Sequence, residues 1–129
     1  MPMDATPRSR TPIPPRPVVT SAAMDSTHRL LAALIDRDLI EAEALFEPTA
    51  CVWFPSRGGL ASVEGAEALT RALLELLETS PPTRLAVIGG IGGSTITSAY
   101  LDDALAWTLE IQLHGERITG ALLRGAQLH

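Results

Sequence analysis

The chain has 129 residues, with ten basic side chains against fifteen acidic ones, a formal net charge of −5. That length holds one domain with a real core, and although 46% of the residues are apolar, no run approaches the ~18 apolar residues of a membrane span. The acidic balance argues against a nucleic-acid partner, whose phosphates need a basic surface, and a single cysteine excludes an internal disulfide framework and fits a reducing compartment.

The charge is unevenly divided. All ten basic residues are arginine. Residues 1–23 carry three arginines against Asp4 and hold six of the ten prolines, whereas residues 24–129 carry seven arginines against fourteen acids. A segment so poor in large apolar side chains cannot bury enough surface to offset its ordering entropy. Residues 1–23 are therefore expected to form a disordered Pro/Arg-rich tail, with Met24 a plausible natural start. The other reading of the tail is a polyproline II ligand, with which Pro12-Ile13-Pro14-Pro15-Arg16-Pro17 is compatible. The N-terminus lacks the roughly 7–15-residue apolar core of a secretory signal, so the expected location is the cytoplasm.

The pattern then predicts two helices and a strand over residues 28–54. Leu30, Leu31, Leu34 and Ile35 lie three and four apart and form one stripe of a helix starting near Asp25 or Ser26. Asp38 followed by Glu41 has capping-box spacing, so a second, shorter helix carries Leu39, Ile40, Ala42, Leu45 and Phe46 up to Pro48. Cys51-Val52-Trp53-Phe54 is a β-prone run closed by Pro55. A turn at Ser56-Arg57-Gly58-Gly59 leads to a short strand over Leu60–Val63. A third helix follows from about Gly65 to Glu78, with Leu69, Ala72, Leu73, Leu76 and Leu77 as its stripe. Ser80-Pro81-Pro82 ends it.

The remainder reads as β. Arg84–Ile88 and Thr95–Leu101 are strand candidates separated by Gly89-Gly90-Ile91-Gly92-Gly93. A phosphate-binding loop would lead from a strand into a helix. Here β-prone residues follow, with no Gly-Lys-Ser/Thr, so a hairpin loop or a softened strand bend is expected instead. In residues 104–114, Leu105, Trp107, Leu109, Ile111 and Leu113 alternate with small or polar residues, giving one apolar face. The return strand, from Arg117 to about Leu128, places Ile118, Gly120, Leu122, Arg124, Ala126 and Leu128 on one face. Arg124 would then interrupt an apolar surface.

Helix, short helix, strand, helix and then antiparallel strands make an α+β pattern. With Ala32-Ala33-Leu34, Arg37-Asp38-Leu39, Ala44-Leu45-Phe46, Ala50-Cys51-Val52 and Glu64-Gly65-Ala66-Glu67-Ala68-Leu69, the chain over about residues 26–128 resembles the NTF2-like family, which includes SnoaL-like and ketosteroid isomerase-like proteins. The resemblance implies a cone, three helices of the N-terminal half packed in a curved antiparallel sheet around an apolar cavity, and commonly a homodimer through the outer sheet face. Family members include isomerases, cyclases, hydrolases and non-catalytic binding domains, so the resemblance implies a pocket rather than a reaction. Members usually carry one more strand after the place of Arg124-Gly125-Ala126, and this chain stops at His129.

The steroid-isomerase catalytic set does not carry over. Phe54 stands in the place of its general-base aspartate, Leu30 in that of its oxyanion-hole tyrosine, and Arg124 at about that of its protonated aspartate. An arginine stays charged and cannot serve as a neutral acid donor. No catalytic residue is assigned. The implied pocket would be lined by Arg124, Phe54, Trp107, Leu30 and Tyr100. Arg124 is either an anion contact inside the cone or a surface residue reaching solvent on its long stem. His28 lies in a helix's first turn, where exposure is the ordinary outcome. Three scattered histidines and one cysteine show no metal-ligand spacing, and no cofactor is implied. Two functions stay open. One is a small-molecule-binding SnoaL-like protein, either a binder or an isomerase-, cyclase- or hydrolase-type enzyme on a hydrophobic carbonyl compound, with a hydrophobic ligand that is neutral or anionic. The other is a non-catalytic binding or dimerisation module.

Overall fold

In the computed structural model, residues 18–126 are described, with side chains from residue 22 onward. Helix α1 spans Val18–Ile35, α2 Leu39–Ala44 and α3 Ala66–Thr79. Six strands follow the helices or separate them: β1 Phe46–Ser56, β2 Gly59–Glu64, β3 Arg84–Gly89, β4 Thr95–Leu101, β5 Ala104–His114 and β6 Arg117–Arg124. They form one sheet in the order β2-β1-β6-β5-β4-β3. The helices pack against this curved, unclosed sheet. All neighbours are antiparallel except β1 and β6, which run parallel.

Helix α1 begins at Val18, seven residues before the expected cap. Residues 18–23 therefore belong to it and not to a tail, and Ala23 is already core. The expectations for residues 1–17 lie outside the described residues. The α1 stripe buries Leu30, Leu31 and Leu34, but Ile35 is 63% exposed. Asp38 caps α2 as its spacing predicts, accepting from the Glu41 amide at 3.1 Å. The reciprocal half of the capping box is absent: the Glu41 carboxylate turns to Arg29, 2.8 Å away, and this contact raises the Arg29 guanidinium pKa.

The chain leaves the helical state sooner than the sequence suggests. Helix α2 stops at Ala44, and Phe46 opens β1 instead of closing the helix. Pro48 thus lies within a strand, which is tolerated because the β1–β6 pairing is interrupted between Phe46 and Cys51 and asks for no amide there. Phe46 is fully buried, and its carbonyl accepts from Arg117 Nη2 at 2.8 Å. The gain from burying this aromatic outweighs helix propensity over the preceding turn.

The glycine run is a hairpin loop between β3 and β4, closed by a 3-10 turn at Ile91–Gly93. Gly92 and Gly93 take φ of 69° and 82°, a region other residues enter only under strain. A strand follows this loop, so it has no helix N-terminus to offer a phosphate.

The core lies between helices and sheet. It joins Leu30, Ala33 and Leu34 of α1 and Leu69, Leu73 and Leu76 of α3 to Val52, Phe54, Ala99, Trp107, Leu109, Ile111, Ile118 and Leu123 on the strands. Strand β6 is flanked by β1 and β5, so the sheet's edges are β2 and β3. The end of β6 therefore leaves no open edge where a further strand was expected, and residues 127–129 lie outside the described ones. No described helix is long and apolar enough to cross a membrane.

Candidate functional site

Strand register decides which side chains face the interior. On β5, Trp107, Leu109 and Ile111 point inward, opposite Ala99, Thr97 and Thr95 of β4. On β6 the pairing shifts: Leu113 faces Ile118, but Gln112 faces Gly120, so one extra residue, Thr119, sits in the strand. Such a bulge changes the phase of everything beyond it. The inward residues of β6 are accordingly Ile118, Ala121 and Leu123, while Leu122 pairs with Glu110 and Arg124 with Thr108 on the outer face.

Arg124 therefore does not enter the cone. It is exposed, on the opposite side of the sheet from the expected pocket. Tyr100 is on the outer face as well, opposite Arg84 in the β3–β4 ladder, with the Arg84 guanidinium 4.0 Å from its ring centroid. Leu105 has also changed sides. The β4–β5 register slips between Ala99 and Tyr100, which leaves Ala106 as the extra residue and Leu105 58% exposed. The other three expected pocket residues, Leu30, Phe54 and Trp107, do sit inside, packed into the core cluster with exposures of 1%, 7% and 4%.

The interior is neutral. Among the described residues, the buried polar side chains are Ser26, Thr27, Thr70, Ser94, Thr95 and Thr97. No carboxylate, histidine or arginine is among them, so the interior offers no group for general acid–base work. Nor do the described residues include a cluster of three or more histidine, cysteine, aspartate or glutamate side chains able to hold a metal. His28 is exposed in a polar hollow on the α1 surface, with Asp25, Arg29 and Glu116 around it.

Two concave surfaces are more apolar. A cleft of about 460 Å³ runs between the C-terminal turns of α1 and α3 and the start of β3, lined by Leu34, Ile35, Leu74, Leu77, Pro81, Pro82 and Leu85. Its rim carries Arg37 and Glu78, which pair at 2.5 Å. Sequence periodicity hides this cleft: Leu77 reads as part of the third helix's apolar stripe and Leu85 as part of a strand, and nothing local tells that helix and strand part there. The second surface is a hollow of about 710 Å³ on the outer sheet face, between Trp53, Leu60, Leu122, Glu110 and Gln112. Gly120 lies among its lining residues, and a Cβ there would come within 3.2 Å of the Cys51 carbonyl. Trp53 is 47% and Leu60 64% exposed beside it.

No protein-family model and no curated protein matches the chain. Solved structures do. An NTF2-like protein from Burkholderia xenovorans superposes with a TM-score of 0.60 at 12% identity, over 85% of this chain and 91% of its own. A protein from Bacillus subtilis named as a candidate isomerase gives 0.59 at 14% identity, over 86% and 99%. This chain has the NTF2-like fold. A de novo designed protein with a curved β-sheet matches equally well, at a TM-score of 0.59 and 12% identity over 81% and 84%. A shared fold does not fix a function, so function must be argued from this chain's own side chains.

Proposed function

We propose that this NTF2-like protein binds a neutral, apolar small molecule in the cleft between α1, α3 and β3, without acid–base catalysis. The observation that carries the reading is the contrast between a roughly 460 Å³ apolar-walled cleft and an adjoining interior whose buried polar side chains, among the described residues, are serine and threonine. The volume lies within the ~300–1,000 Å³ range of ligand sites. An anionic ligand is dropped from the reading because Arg124 stands on the other face. The test is a thermal-shift panel of apolar compounds on the full chain. A compound at 100 times its dissociation constant should add about 2.7 kcal/mol of stability. Leu77→Arg, which fills the cleft with a charge, should abolish that gain. A melt that no compound moves would remove the proposal.

A second activity has its own observation. Trp53, Leu60 and Ile88 are exposed on the outer face of the sheet, and Leu122 lines the same hollow as Trp53 and Leu60, an apolar surface of the kind that marks an interface. We infer a homodimer through this face, located in the cytoplasm as the lone cysteine suggests. Sedimentation should give a dimer for the native chain and a monomer for Trp53→Arg. A native monomer at high protein concentration would refute the pairing.

A further inference from the structure

The packing of the interior leaves two polar atoms over. Among the described residues, the buried side-chain atoms without a hydrogen-bond partner are Thr97 Oγ1 and Trp107 Nε1. The other buried hydroxyls are satisfied. Thr27 and Thr95 pair at 2.8 Å, Thr70 donates to the Ala66 carbonyl and Ser94 to that of Ile91, both at 2.8 Å, and Ser26 donates to the Glu116 carbonyl at 3.0 Å. Buried polar groups are ordinarily paired, so two on one face call for a physical account.

Their places in the sheet relate them to the cleft. Thr97 lies opposite Leu109, and Trp107 opposite Ala99, so the two are diagonal neighbours on the inward face of β4 and β5, within reach of a long side chain or a shared small group. Ala99 in turn lies opposite Leu85 of β3, a wall of the cleft. Leu85, Ala99 and Trp107 thus form one row across three strands. Behind the cleft wall, only the methyl group of Ala99 separates Leu85 from the indole's strand position. Leu85 and Leu77 are partly buried and packed against the core edge, so the cleft wall and the core meet at these two side chains.

We propose that Trp107 and Thr97 are the polar end of the ligand site: the indole N–H and the threonine hydroxyl donate to one carbonyl oxygen of a neutral ligand whose hydrocarbon body lies in the cleft. The inference rests on the cleft-binding reading above and names the ligand class. An indole can only donate, while a hydroxyl can donate or accept. The pair therefore selects for a hydrogen-bond acceptor and against a plain hydrocarbon, whose binding would leave both groups unpaired. It selects against a carboxylate too, because no buried cation stands among the described interior residues to offset the desolvation of a charge.

The test uses the full chain with three matched probes: 4-phenyl-2-butanone, butylbenzene and 4-phenylbutyrate. Affinities are measured by calorimetry for the native protein, Thr97→Val and Trp107→Phe. The native protein should bind the ketone at least tenfold more tightly than either of the other two. Each variant should erase most of that preference and leave butylbenzene unchanged. Thr97→Val loses an unpartnered hydroxyl, so it should melt no lower than the native chain and carries the test if Trp107→Phe folds poorly. In nitrogen-15 spectra, the indole N–H signal of Trp107 should move on adding ketone and stay in place with butylbenzene. If ketone and hydrocarbon bind equally, or Thr97→Val keeps the ketone preference, this inference falls while cleft binding stands. If the carboxylate binds best, a cation contact governs the site and the inference also falls. If none of the probes binds, cleft binding and this inference fall together.

Discussion

Strands β5 and β6 are the two arms of one hairpin, and they treat alternation differently. Along β5 the slip comes at the start, at Ala106, and the inward positions then keep one phase from Trp107 through Leu109 and Ile111. Along β6 they pass from Ile118 to Ala121 and Leu123, changing from even to odd at Thr119. Both arms bury the same kind of apolar row, so packing is equally well served. What differs is how far a role assigned at one end of a strand can be carried to the other. One inserted residue leaves the core intact and exchanges the faces of all that follows.

The largest effects come from altering that count. Deleting Thr108 from β5 brings Trp107 and Leu109 side by side, so part of the strand must turn its apolar residues to solvent. This variant should lose its cooperative thermal transition. Deleting Thr119 from β6 removes the extra residue and leaves Ile118, Ala121 and Leu123 in register with one another. That variant should remain folded, with native far-ultraviolet dichroism and a lowered melting temperature. If both deletions unfold the protein to the same degree, Thr119 is not a removable bulge residue.

A point substitution sharpens the same contrast. Leu123 is fully buried against the core, whereas its neighbour Leu122 faces the outer hollow. Leu123→Ala should cost about 2–5 kcal/mol, the range for an aliphatic side chain deleted from a packed core. Leu122→Ala should cost well under half of that, since its side chain leaves no enclosed cavity. Urea denaturation of the two variants decides the matter. Equal losses would mean that the faces are not separated as described.

These contrasts also explain what was legible in the sequence. The 3.6 period placed the three helices and the period of 2 the last two strands, while β-prone residues between turn signals marked the other four. The Asp38 cap was equally plain, since its partner Glu41 is three residues away. Three things were hidden. The early start of β1 depends on where Phe46 finds its cavity, which is a tertiary matter. Of the two bulges, the one at Ala106 has no local mark, and the one at Thr119 has only Gly120 beside it, opposite Gln112. The unpartnered state of Thr97 and Trp107 depends on what the packing leaves around them. The candidate site suffered most: Arg124 lies beyond the Thr119 bulge, whereas Tyr100 is outward by the unbroken alternation of Thr95, Thr97 and Ala99 on its own strand.

Arg124→Leu carries the smallest expected effect and the most direct test of that lesson. An arginine inside an apolar cone would need an anion or a buried carboxylate, and replacing it with leucine would change stability by several kcal/mol. On the outer face, its head is already in solvent and opposite the Thr108 position. The substitution then removes only an exposed charge, and the change in unfolding free energy should stay within about 0.5 kcal/mol. Ligand affinity in the cleft should not move, whether or not the ligand carries a carboxylate. The two readings differ several-fold in the stability change and in whether carboxylate binding is lost at all. A tenfold loss of carboxylate binding in Arg124→Leu would put the residue back inside the cone and the β6 bulge out of the structure.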